Sequence, residues 1–140
     1  MENNLTKQVP QFGYEILRDC VLPSILGKHE DQILYWAGKE VARKYPLFSM
    51  DEAISFFTEA GWGTLELEKE SNNSRTYKLT GDDHLLKFES RNFRLEAGFL
   101  AEQLQKQLGF LTECYDDKNS KKQYVLFHLK SDLKEPTQRD

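Results

Sequence analysis

Two glycines interrupt otherwise strong helical patterns: Gly38 within Ile33-Leu-Tyr-Trp-Ala-Gly-Lys-Glu-Val41, and Gly98 within Phe93-Arg-Leu-Glu-Ala-Gly-Phe-Leu-Ala-Glu-Gln-Leu104. Each costs a helix about 1 kcal/mol relative to alanine. Close approach of another backbone is the compensation such positions call for, so the pattern predicts tightly crossed helices. Gly61 and Gly63, which flank Trp62, are read with them as close-packing glycines.

The patterns around these positions describe one α+β domain. A first helix is expected from Tyr14 to Leu22, with Ile16, Leu17, Cys20 and Val21 at helical spacing and Pro23 disturbing or ending it. A second runs from Glu30 to Lys44 and closes before Pro46, since the residue before a proline is pushed out of the helical region. The third opens at a capping box, Ser49-Met-Asp-Glu52, and stops at Gly61. From Gly63 the period changes to two: Leu65 and Leu67 alternate with glutamates, Thr76–Thr80 returns after an Asn-rich turn, and Leu85–Glu89 forms a third strand. A fourth helix over Phe93–Leu108 is followed by two strands, Leu111–Tyr115 and Tyr124–Leu129, the last apolar on both faces and so expected centrally, covered on both sides. The expected fold is four helices on a mostly antiparallel sheet of about five strands, in the order ααα-βββ-α-ββ. Residues 1–11 are expected as a flexible arm, 12–130 as the domain and 131–140 as a flexible charged tail.

A chain of 140 residues suffices for one self-supporting core. Its net charge of -4, with both signs interspersed, disfavours nucleic acid as a partner. No apolar run approaches bilayer length, and the polar start lacks the order of a signal peptide, so a cytoplasmic location is expected. Cys20 and Cys114 stand far apart without a Cys-x-x-Cys partner, which indicates neither a disulfide scaffold nor a zinc site; both read as buried thiols.

Helical periodicity fails to close at two places. On the fourth helix Phe93, Ala97, Leu100, Ala101, Leu104 and Leu108 form one core stripe, while Leu95 and Phe99 lie opposite it. Glu102 and Lys106 continue that back face as an i,i+4 pair, so only the first half of this helix is expected to be buried all round. Leu95 and Phe99 therefore need a cover: another helix of the same chain, a second subunit, or an apolar ligand. On the second helix Trp36 projects among Lys39, Glu40 and Arg43, where it serves either as a binding anchor or as a contact to the first helix or the N-terminal arm.

No reaction is announced. His29, His84 and His128 show no metal-ligand spacing, the pairs Asp82-Asp83 and Asp116-Asp117 sit in polar turns, and the glycines form no phosphate-binding loop. No catalytic residue, metal or cofactor is implied. Lys118, Lys121 and Lys122 cluster at a hairpin tip without interleaved aromatics and read as a solvated loop.

Three segments carry a resemblance. Tyr35-Trp-Ala-Gly-Lys39, Glu59-Ala-Gly-Trp-Gly-Thr64 and Leu95-Glu-Ala-Gly-Phe-Leu-Ala-Glu-Gln103, in this order and spacing, resemble the uncharacterised YslB family of Gram-positive bacteria over about Tyr14 to Lys130. More distantly the chain is similar to the ligand-binding fold of vinyl-reductase-type domains, TRAPP vesicle-tethering subunits and haem nitric-oxide sensors. The departures limit what the resemblance implies. No histidine falls on an expected helix to hold haem, Cys114 keeps at most one member of the cysteine cluster of the vinyl-reductase type, and Pro46-Leu47-Phe48 stands where related TRAPP subunits carry an acylated cysteine. The resemblance then implies a helical layer that accepts an apolar ligand or a second subunit. The reading is a non-enzymatic cytosolic domain, a homodimer, binding an apolar small molecule or a protein through Trp36, Leu95 and Phe99. The competing reading is an enzyme acting on a small hydrophobic substrate near Cys114.

Overall fold

The computed structural model describes residues 11–81 and 90–137. Its elements are α1 (Gln11–Glu15), a π-helical stretch (Ile16–Val21), α2 (Leu22–Leu26), a short 3-10 turn (Gly27–His29), α3 (Glu30–Lys44), α4 (Met50–Glu59), β1 (Thr64–Glu70), β2 (Ser74–Thr80), α5 (Arg94–Leu108), β3 (Phe110–Asn119) and β4 (Tyr124–Pro136). The α+β class stands, but the expected tally of four helices on five strands is corrected. Among the described residues only α3, α4 and α5 reach ten residues, and the sheet has four antiparallel strands in the order β1-β2-β4-β3. The expected first helix exists as short pieces. A proline ring clashes with the carbonyl four residues back, here that of Asp19, and the helical ladder widens into the π form at that place. The expected strand Leu85–Glu89 lies outside the described residues.

Alternation sorts the strands as expected except at Leu67, which is exposed where a bulge between Leu67 and Lys69 shifts the register of β1. Leu65, Tyr77, Leu79, Val125, Phe127, Leu129 and Cys114 form the sealed inner face. The outer face of β4 is only half-buried, at Tyr124, Leu126 and His128, so the expectation of cover on both sides is corrected. β4 also continues through Ser131–Pro136, the segment expected as tail: Phe110 pairs with Pro136, and the Thr137 amide donates to the Gly109 carbonyl at 2.9 Å. Ten residues of β3 follow directly on Gly109, and β4 lengthens to satisfy them.

α5 lies between α3 and the sheet and is buried without interruption from Glu96 to Leu104. The expected solvated half, with Glu102 paired to Lys106, is corrected: Glu102 is buried and accepts from Arg43 at 3.2 Å. Gly38 and Gly98 explain how α3 comes so near. A Cβ on Gly38 would lie 2.0 Å from the Leu95 carbonyl oxygen, and one on Gly98 would lie 2.0 Å from that of Tyr35. The two glycines act reciprocally, each opening a path for the other helix's backbone. α4 starts with one half of its capping box, the Glu52 amide donating to Ser49 Oγ at 3.4 Å, while the Glu52 carboxylate reaches one residue further back and accepts from the Phe48 amide at 2.7 Å. Gly63 meets the Thr80 carbonyl at close range, whereas none of the described residues stands near Gly61, so Gly61 is not a close-packing position; its φ of +75° is what disfavours a side chain there.

Candidate functional site

The structure separates the three residues expected to share one surface. Phe99 is fully buried, its ring stacked on Phe56 at 4.6 Å and edge-on to Trp62 at 5.3 Å. Leu95 is half-buried against the same core. Trp36 remains 59% exposed. The placement of Phe99 on a binding surface is corrected: a helix enclosed by α3, α4 and the sheet has no back face, and aromatic partners from α4 close over it.

Between α3, α5 and the edge strand β3 runs a polar seam. Tyr35 Oη accepts from the Cys114 amide at 3.0 Å and donates to Glu113 Oε1 at 2.7 Å. The Thr112 amide donates to Gln105 Oε1 at 3.1 Å, and Arg94 donates to the Cys114 carbonyl at 3.4 Å. Side chains from the helices thus occupy outward-pointing backbone groups of an edge strand that would otherwise be open to pairing. Lys39 and Arg94 both stand over the Tyr35 ring, at 4.8 and 4.3 Å.

The helical stretch 11–26 faces opposite to expectation. Arg18 is buried, donating to Glu96 at 2.5 Å, to the Asn92 carbonyl at 3.0 Å and to Tyr14 Oη at 2.6 Å. Asp19 holds the buried Arg91 through two bonds of 2.9 and 3.0 Å, and Arg91 lies over the Tyr14 ring. The expected core stripe of Ile16, Leu17 and Cys20 is exposed, and so are Phe12 and Ile25. Tyr14, Arg18 and Leu22 at i, i+4, i+8 are the one sequence signal for this arrangement.

Beside α5 a polar cleft of about 560 Å³ is lined by Glu30, Asp31, Arg91, Asn92, Arg94, Asp116 and Lys118. Most of its polar groups are already engaged: Asn92 donates to Asp31 at 2.6 Å, Arg94 to Asp116 at 3.0 Å, and Lys118 to the Arg91 carbonyl at 2.8 Å. No cluster of metal-ligating side chains occurs among the described residues. Burial, with the Asp116 charge adding to it, pushes the Cys114 thiol well above its ordinary value; burial also raises Tyr35, helped by its bond to Glu113. Cys20, in contrast, is exposed, which corrects its assignment to the core. A raised pKa in the folded state favours the protonated fold. The stabilisation from Cys114 and Tyr35 is therefore whole at neutral pH and is lost as pH climbs past the ordinary values of 9.0 and 10.0. The urea midpoint should hold between pH 7 and 8 and fall by pH 10; a midpoint unchanged at pH 10 would contradict these environments.

Residues 11–130 match the family model described as a protein of unknown function, DUF2507. The chain belongs to the DUF2507 family. A relative, the uncharacterised protein YslB of Bacillus subtilis (strain 168), is 39% identical over 128 residues, covering 89% of this chain and 86% of that protein. The DUF2507 fold is also seen in a vinyl-4-reductase family protein from Methanocaldococcus jannaschii, with a TM-score of 0.65 over 91% of this chain and 84% of that one. At 19% identity, that likeness concerns the fold alone. No helix among the described residues is long and apolar enough to cross a membrane.

Proposed function

We propose that this DUF2507 chain is a non-enzymatic domain that works by protein contact, forming a homodimer through the apolar surface of its helical layer. The observation that carries the reading is Trp36, a large aromatic ring left 59% in solvent on a rigid helix, with exposed Ile33 one turn before it. Such a ring buries much area at little rotamer cost and is a preferred anchor of interfaces. A protein partner fits better than an apolar small molecule, because Phe99, expected to line a ligand site, is packed to closure by Phe56, Phe57 and Trp62. Against the enzymatic alternative stands Cys114. A nucleophilic thiol needs a lowered pKa and an adjacent base, and this one is buried with its pKa raised. A cytosolic location accords with two free thiols.

Sedimentation velocity tests the reading. The wild type should run as a dimer at tens of micromolar, and Trp36→Ala with Ile33→Ser should weaken the dimer by about thirtyfold, the loss of one interface anchor, while remaining folded. A wild type that stays monomeric at the highest attainable concentration would refute it.

A further inference from the structure

The stretch 11–26 is amphipathic with its faces reversed. Its charged residues Arg18 and Asp19 turn inward to Glu96 and Arg91, and Glu15 is half-buried. Its outward face consists of Phe12, Gly13, Ile16, Leu17, Cys20, Ser24 and Ile25, which carry no charge. Phe12 and Ile25, at its two ends, are 73% and 72% exposed. The four large side chains, Phe12, Ile16, Leu17 and Ile25, leave roughly 500 Å² of apolar surface in water, the upper range for a monomer's largest patch. Each partner of a stable interface buries about 800 Å², so this face supplies most of one half.

We infer that this face is covered by the same face of a second copy, the two stretches crossing about a two-fold axis near Leu17 and Cys20. The inference rests on the homodimer reading above and names the surface that carries its axis. Three features select the occupant. An uncharged face lets two chains of net charge -4 meet without placing like charges at the centre. Gly13, Cys20 and Ser24 alternate with the large residues, so one face offers both knobs and recesses, as a self-complementary contact requires. Gly13 spends helix stability, yet among the described residues a Cβ there would meet nothing within 4 Å, so their packing makes no use of its small size. Among the described residues 11–26 no lysine or arginine lies on this face, where an amphipathic helix that seats on anionic lipid carries a basic fringe. Leu17 and Cys20 are the outward residues nearest the middle of the face, and residues at the middle of an antiparallel pair meet their own copies.

Cys20 makes the geometry measurable, since Cys114 is buried and serves as an internal control. A short bismaleimide should join wild-type chains into a covalent dimer through Cys20, and Cys20→Ser should abolish the product. Ile16→Lys with Leu17→Lys, both on the exposed face, should give a monomer by sedimentation with unchanged circular dichroism. A dimer that neither crosslinks at Cys20 nor responds to the lysines would overturn this assignment and leave the homodimer reading intact. A wild-type monomer would overturn both. A monomer that floats with phosphatidylcholine vesicles and is released by the lysines would give the face to lipid and equally overturn the proposal.

Discussion

Gly98→Ala should cost the domain about 3 kcal/mol, the upper end of what overpacking a core does. The added Cβ would lie 2.0 Å from the Tyr35 carbonyl oxygen and 2.9 Å from its carbonyl carbon, and backbone cannot rotate aside as a side chain can. α3 would have to withdraw from α5, loosening the Tyr35 bonds to Glu113 and Cys114 that lie along the same seam. Gly38→Ala should behave alike, because its Cβ meets the Leu95 carbonyl at the same 2.0 Å. Gly61→Ala provides the contrast: it has open space among the described residues and suffers from a positive φ, so it should cost about 1 kcal/mol. Urea midpoints of the three variants check this order. Equal losses at Gly98 and Gly61, or none at Gly98, would remove the crossed-backbone account.

Glu96→Ala should be of similar size, destabilising by about 3 to 5 kcal/mol, the range for breaking a buried ion pair from one side. Among the described residues Arg18 would keep its charge in a buried setting with only the Asn92 carbonyl and Tyr14 left as partners, and its Nε already has none. The pairing is a condition of orientation more than a source of net stability. Replacing both members with apolar residues, Arg18→Met with Glu96→Leu, should recover most of the loss, since the desolvation of two charges disappears together. The double-mutant cycle read from urea midpoints decides it: additive losses would show that the pair is not coupled.

Much of the fold was legible because its signals are local and expensive. A glycine inside a helix costs stability wherever that helix goes, so Gly38 and Gly98 pointed to crossed backbones without any knowledge of the partner. The capping box at Ser49 and the alternation in β1 and β2 are likewise decided within a few residues. Periodicity, however, says which residues share a face and not which face turns inward. Ile16, Leu17 and Cys20 do share one, but Arg18 and Asp19 found buried partners more than seventy residues away, and these turned the stretch over. The π-helical turn also shifts the residues after it away from an ordinary helical wheel. Phe99 escapes a sequence reading for a related reason. A helix covered on every side shows no clean stripe, and its apolar back face looks like an exposed patch. Trp36 was read from the charged residues beside it on α3, a relation that requires nothing from outside the helix.

The central claim is that this domain functions as a pair of chains joined through its helical layer. Native mass spectrometry of the protein purified from its own host tests it most directly, because subunit number and any retained small molecule are read from one mass. A species at twice the 16.4 kDa of a single chain is expected, with no added mass beyond it. A species at the mass of one chain carrying a stoichiometric small molecule would contradict it and make the helical layer a ligand site.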